Sequence, residues 1–202
     1  MKNKIIIDNA LAPNEYESLY NHMMSMNFEW SFNPGIVQGG DEQDYQFVHG
    51  IHTGYHMTSP NNYRYIFPLN EILAPQAIVR IKANLTTRGE TTKTHGMHTD
   101  MAVPGSLTAI YYVNDNNGFT KFEDGDSIDS VANRLVIFPS NLRHSGTRCT
   151  DQQRRIVINF NYMPWRDDTR WHQLMSQKDI DYRNDWEKDM QMSYNEDGVP
   201  CK

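Results

Sequence analysis

His98-Thr99-Asp100 is the stretch from which the rest of the chain can be read. Side chains at i and i+2 of an extended backbone share a face, so one short segment can offer an imidazole and a carboxylate to a single ion. His144 comes later, in Pro139-Ser140-Asn141-Leu142-Arg143-His144-Ser145-Gly146, directly after the apolar run Leu135-Val136-Ile137-Phe138. Two histidines and one carboxylate on one side of a metal leave the opposite positions open. The next apolar run, Ile156-Val157-Ile158-Asn159-Phe160, opens with Arg154-Arg155. A guanidinium there can fork onto a carboxylate through two hydrogen bonds. Arg154 shares parity with Ile156, Ile158 and Phe160, a continuous apolar set that belongs on a packed core. Arg155 shares parity with Val157 and Asn159 and is expected on the mixed, cavity-lining face, with Arg154 held in reserve.

Outward from these segments the pattern is one of short strands. Residues 76–85 alternate: Ala77, Val79, Ile81, Ala83 and Leu85 make one face, and Ile78, Arg80, Lys82 and Asn84 the other. The polar face is either solvated or lines the site through Lys82 or Asn84. Residues 106–114 alternate in the same way, with Tyr112 on the face of Thr108 and Ile110. Asn116-Asn117-Gly118 signals a hairpin turn with a returning strand over 119–123. Residues 127–131 and 134–138 suggest a further strand pair around Ala132-Asn133. Short strands between turns indicate an all-β sandwich or jelly roll. A strand over 4–7 and a helix opening at Pro13, with Leu19, Tyr20, Met23 and Met24 at helical spacing, precede this core. Trp171, Leu174 and Met175 predict a helix near 168–177, within an acidic tail packed by Trp165, Trp171 and Trp186. A homodimer contact through those tryptophans is the lesser alternative.

Residues 27–62 carry many glycines and are expected to form a long loop at the pocket mouth, with Trp30, Phe32, Tyr45 and Tyr55 as a substrate wall. His49, His52 and His56 have helical spacing, but Gly50 and Gly54 oppose a helix, so a metal role for this trio is disfavoured. His95 lies an odd offset from His98 and is expected to point away from the metal as a surface or supporting histidine.

At the motifs H-T-D, A-I-Y-Y-V-N, N-R-L-V-I-F-P-S-N-x-x-H-S-G and R-x-V-I-N-F, the chain resembles the 2-oxoglutarate/Fe(II)-dependent dioxygenases, in their prolyl-4-hydroxylase-like branch. The resemblance covers roughly residues 76–162. It implies a mainly β fold, a double-stranded β-helix (jelly roll) with flanking N-terminal and C-terminal helices, as one domain over 1–202 with its core at about 76–163. It implies Fe(II) held by His98, Asp100 and His144, and 2-oxoglutarate as cosubstrate, with ascorbate as an optional reductant. The far carboxylate of 2-oxoglutarate would pair with Arg155 or Arg154, beside Asn159, and take a hydroxyl from Tyr112. The implied reaction consumes oxygen and 2-oxoglutarate, releases succinate and carbon dioxide, and hydroxylates a second substrate. Thr120 and Lys121 stand where many relatives have a second glycine after Gly118, a departure that touches the local turn and not the ligands.

Composition narrows the rest. The chain has 202 residues, a net charge of −6 and 38% hydrophobic residues, which fits a globular protein with a sizeable core. The acidic balance disfavours nucleic acid as a partner. No apolar run approaches the roughly 18 residues of a membrane span, and the apolar run over 5–7 is too short for a secretory signal. Two cysteines, Cys149 and Cys201, imply no disulfide framework and suit a cytoplasmic location, where Fe(II) is also kept reduced. The substrate is expected to be a small molecule or peptide. The rival readings are a cupin-like metal enzyme of another chemistry, such as a zinc hydrolase, and a jelly-roll module that binds without catalysis.

Overall fold

The protein is described from a computed structural model covering residues 3–36, 44–54 and 56–192. It is mainly β, a jelly roll flanked by helices at both ends. The chain begins with β1 (Ile5–Ile7) and α1 (Pro13–Met24). Proline is free to start the helix because its missing N–H would have no partner there, and Glu15 turns back to accept the Ala12 amide at 3.2 Å. Leu19 and Met23 are the buried stripe of α1. Then come β2 (Ser31–Asn33), β3 (Gln46–Thr53), β4 (His56–Met57), α2 (Pro60–Leu73) and β5 (Ala77–Thr87). The core continues with β6 (Leu107–Tyr112), β7 (Phe119–Phe122), β8 (Ser127–Asp129), β9 (Arg134–Pro139), β10 (His144–Gly146) and β11 (Arg154–Met163). Two helices close it, α3 (Thr169–Leu174) and α4 (Gln177–Met192).

Among the described residues the strands form two antiparallel sheets. The larger runs β1-β9-β6-β11-β5-β3-β2, with β4 on β3; the smaller runs β10-β7-β8. Alternation sorts the side chains of the larger sheet into two environments. Ile81, Ala83, Leu107, Ala109, Tyr111, Leu135, Ile137, Ile156, Ile158 and Phe160 join Leu19, Met23, Ile66, Leu69, Leu73, Trp171 and Leu174 in the helix-covered core. Their parity partners Ile110, Tyr112, Val136, Phe138 and Val157 meet Phe122 and Ile128 of the smaller sheet. Each fully buried aliphatic or aromatic side chain contributes about 1.5–3 kcal/mol.

Four expectations are corrected. Residues 27–62 are not one long loop: β2, β3 and β4 occupy them and α2 starts at Pro60. Glycine-rich sequence hid β3 because pairing with β5, not local propensity, makes that strand. The segment 116–118 is not a hairpin turn, since β7 pairs with β10 and β8 rather than β6. Asparagine side chains replace ladder bonds here. Asn114 donates to the Arg154 carbonyl and accepts the Ile156 amide, and Asn116 accepts the Gly118 amide, so the chain can leave one sheet for the other. Nor do β8 and β9 pair with each other: β9 pairs with β1 and β6. Asn133, at φ 60°, turns the chain between them; its side chain bonds Leu11 in both directions and accepts the Tyr111 hydroxyl. Finally, the single helix near 168–177 is two helices, broken where Met175 is extended. Trp171 is buried and donates to the Gly105 carbonyl, while Trp165 is exposed. Tyr55, Cys201 and the side chain of Trp186 lie outside the described residues.

Candidate active site

One isolated antiparallel bridge builds the site. His98 and His144 sit directly opposite each other, each amide donating to the other's carbonyl at 3.0 and 2.9 Å. Residues directly opposite in an antiparallel pair share a face, and Asp100, two residues on, joins them. The ligand atoms of His98, Asp100 and His144 all lie within 4.8 Å of one another. His98 Nε2 is 3.9 Å from Asp100 Oδ1, and His144 Nε2 is 3.7 Å from Asp100 Oδ2. The Nδ1 atom of each ring faces a backbone carbonyl, Gly96 at 3.2 Å and Leu142 at 3.0 Å. A carbonyl only accepts, so each Nδ1 is the protonated nitrogen and each Nε2 presents its lone pair to the common point. This donor set fits a divalent metal with open positions.

The carboxylate is fixed from behind. Asp100 Oδ2 takes bonds from Thr108 Oγ1, Asn159 Nδ2 and Asn161 Nδ2, each at 3.1 Å. Arg80 Nη2 reaches Oδ1 at 3.3 Å and its Nε holds Asn161 Oδ1 at 2.9 Å. Burial would raise the Asp100 carboxyl, but His144, Asn159, Arg80 and His98 together outweigh it and hold it below the usual carboxylate range. For His144, burial dominates and draws the ring below the ordinary imidazole value despite Asp100. Both directions favour carboxylate and neutral imidazole, the forms a metal binds.

A cavity of about 90 Å³ adjoins the trio. Arg80, Lys82, Asn84 and Thr86 of β5 line it, with Asn159, Val157 and Arg155 of β11, Ile110 of β6 and Thr120 of β7. The inner face of β5 therefore lines the site. Arg155 is 5% exposed. Its Nε donates to Ser130 Oγ at 2.8 Å and its Nη2 to Thr120 Oγ1 at 3.2 Å. Gly118 is required beneath it, because a Cβ there would stand 2.8 Å from Arg155 Cδ. Burial lowers the guanidinium below its ordinary value, and among the described residues no carboxylate lies beside it to offset this. Arg154 is half-buried and does not line this cavity.

Tyr112 lies one layer further back. It is fully buried, and its hydroxyl donates to Thr120 Oγ1 at 2.7 Å. Thr120 accepts from both Tyr112 and Arg155, so its own proton is free to point into the cavity. Asn159 Oδ1 is buried there without a donor, as are Thr86 Oγ1 and His95 Nε2 among the described residues. His95 is not a surface residue: it is 7% exposed, bonded through Nδ1 to Asp44 at 3.1 Å, and lines the same cavity. His49 has both ring nitrogens engaged, Nδ1 with the Glu29 carbonyl and Nε2 with Ser59 and Asn62. His52 and His56 stand on β3 and β4. Of the expected aromatic wall, Phe32 is exposed and Trp30 packs against the helix-side core. Sequence reading missed Arg80, Thr108, Thr120 and Asn161 as site residues, although parity with Lys82, Tyr112 and Arg155 put Arg80, Thr108 and Asn161 on the inner face.

The fold is that of the 2-oxoglutarate/Fe(II) oxygenase structures. No protein-family model and no curated protein sequence matches the chain, so the likeness is one of structure. A prolyl-4-hydroxylase from Pseudomonas putida superposes with TM-score 0.54 at 14% identity, over 82% of this chain and 95% of that one. A prolyl hydroxylase from Trichoplax adhaerens, solved with a hypoxia inducible factor peptide fragment, gives 0.55 at 14% identity, over 88% and 89%. The epimerase SnoN, solved with Fe3+, alpha ketoglutarate and nogalamycin RO, gives 0.57 at 12% identity, over 81% and 79%.

Proposed function

We propose that the protein is an Fe(II)- and 2-oxoglutarate-dependent dioxygenase that hydroxylates a small-molecule or peptide substrate, releasing succinate and carbon dioxide. The observation that carries this reading is the pairing of a His98–Asp100–His144 trio with a buried, carboxylate-free Arg155 on the wall of the same cavity. A zinc hydrolase would account for the trio but would have no need of that guanidinium. His98, Asp100 and His144 would hold the iron through two Nε2 atoms and a carboxylate oxygen. The metal with its keto-acid cosubstrate supplies the oxidation of an unactivated C–H bond by dioxygen.

The chain's own residues do the rest. Arg155 pairs with the far carboxylate of 2-oxoglutarate, and Thr120, holding Tyr112 behind it, adds a hydroxyl donor on the same side. Asn159 and Asn161 orient Asp100, and backbone carbonyls fix the two imidazole tautomers. Val157 and Ile110 bring apolar surface into the wall and help exclude water. Ascorbate serves as an auxiliary reductant, and the cytoplasm, where Cys149 stays a buried free thiol, is the proposed location. The epimerase neighbour keeps stereochemical inversion as an alternative outcome of the same oxidation.

The test is a turnover screen with Fe(II), 2-oxoglutarate and ascorbate, following succinate and substrate products gaining 16 mass units. Succinate formation that depends on iron and on 2-oxoglutarate supports the proposal. Metal-dependent hydrolysis without 2-oxoglutarate consumption would overturn it.

A further inference from the structure

The cavity holds more positive charge than the proposed cosubstrate uses. A divalent metal, the Asp100 carboxylate, the dianion of 2-oxoglutarate and the Arg155 guanidinium come to zero. Arg80 and Lys82 also line the cavity, while Asp100 is the only acidic side chain among the described residues that line it. Arg80 is committed to Asp100 and Asn161. Lys82 is half-buried and makes no hydrogen bond or ion pair among the described residues. Burial and the neighbouring Arg80 outweigh the pull of Asp100 and draw its ammonium below the usual lysine range. Among the described residues no carboxylate forms an ion pair with it.

Position separates Lys82 from the cosubstrate end. On the β5–β11 ladder Thr86 is opposite Arg155, whereas Lys82 is opposite Asn159, the residue that holds Asp100. Four residues of strand, about 13 Å of rise, therefore divide the backbone positions of the two cations. On its other side Lys82 faces Gly50 of β3. A side chain at Gly50 would meet nothing closer than Thr58 Oγ1 at 3.7 Å, so a lane stays open beside the lysine.

Building on the oxygenase reading, we infer that Lys82 is a specificity-determining residue that binds an anionic oxygen group, carboxylate or phosphate, on the substrate to be oxidised. The anion enters over Gly50 and pairs with the Lys82 ammonium at the metal end of the cavity. Arg155 keeps the cosubstrate.

The test uses the full chain loaded with Mn(II) in place of iron, and with 2-oxoglutarate. Loading is measured first. Acetate and inorganic phosphate are then titrated separately, and paramagnetic broadening of their 13C and 31P signals reports ions held near the metal. The expected result is saturable broadening of at least one anion, with affinity roughly tenfold or more weaker in Lys82→Met and retained in Lys82→Arg. Gly50→Val, which leaves the ammonium but narrows the lane, also weakens it and serves if Lys82→Met fails to fold. Broadening of acetate alone assigns a carboxylate substrate, and of phosphate alone a phosphorylated one. Broadening by neither anion, or equal broadening in wild type, Lys82→Met and Gly50→Val, overturns the inference while the oxygenase reading stands. Loss of 2-oxoglutarate loading in Lys82→Met also overturns it, since the lysine would then serve the cosubstrate. If wild type loads neither Mn(II) nor 2-oxoglutarate, the oxygenase reading falls and this inference falls with it.

Discussion

The two faces of the larger sheet come from the same strands and have opposite chemistry. On β5 and β11 the helix-side face is Ile81, Ala83, Ile156, Ile158 and Phe160, closed and apolar. One residue out of phase, the cavity-side face is Arg80, Lys82, Asn84, Arg155, Asn159 and Asn161. The first face stabilises the fold through burial. The second gives up part of that stability, because buried polar groups are costly unless each finds a partner. With Thr86 of the same strand face, Asn159 keeps a buried polar atom without a partner, and Lys82 and Arg155 line the cavity beside them. The face that pays in stability is therefore the one that carries the candidate site.

The largest effect should come from breaking the metal trio. His98→Ala removes a partly exposed side chain whose one hydrogen bond among the described residues goes to the Gly96 carbonyl, so the protein should stay folded while iron binding and turnover are lost. Metal content and succinate release measure this, and wild-type turnover would sink the ligand assignment. On the opposite face, Phe160→Ala should cost about 3–5 kcal/mol in chemical denaturation, with turnover per folded molecule unchanged. A loss of activity without a loss of stability there would mean the faces are not separate.

Arg155→Met sharpens the contrast further. Its 2-oxoglutarate affinity should fall by about 2–5 kcal/mol, yet its ligand-free stability should hold or rise, since an unpaired buried cation is replaced by an apolar chain of similar length. Calorimetric titration and thermal melting read the two signs. Asn161→Ala removes one of the donors that orient Asp100 and should weaken metal affinity about 10–100-fold, as equilibrium metal titration would show. The smallest effect is expected from Gly118→Ala. A methyl group would stand 2.7 Å from Asn116 Oδ1 and 2.8 Å from Arg155 Cδ, displacing the guanidinium without removing it, so the KM for 2-oxoglutarate should rise by less than in Arg155→Met.

Much of this was legible in the chain itself. Period-two alternation over 76–85, 106–114 and 154–160 assigned each strand its two faces, because a strand side chain has only two directions to take. The same parity separated Arg155 from Arg154, and spacing alone put His98 and Asp100 on one side of the backbone. What alternation cannot say is which strand lies next to which. The partners of β7, β8 and β9, the bridge that sets His98 against His144, and the glycine lane beside Lys82 all depend on pairings between residues distant in sequence. Asparagine side chains at 114, 116 and 133 stand in for backbone bonds at the crossings, and their local pattern looks like that of ordinary turns. The charge of the cavity is likewise a tertiary property. Arg80, Lys82 and Arg155 come from strands that meet only in the folded sheet, and only there do these cations gather around Asp100, the one carboxylate among the described residues that line the cavity.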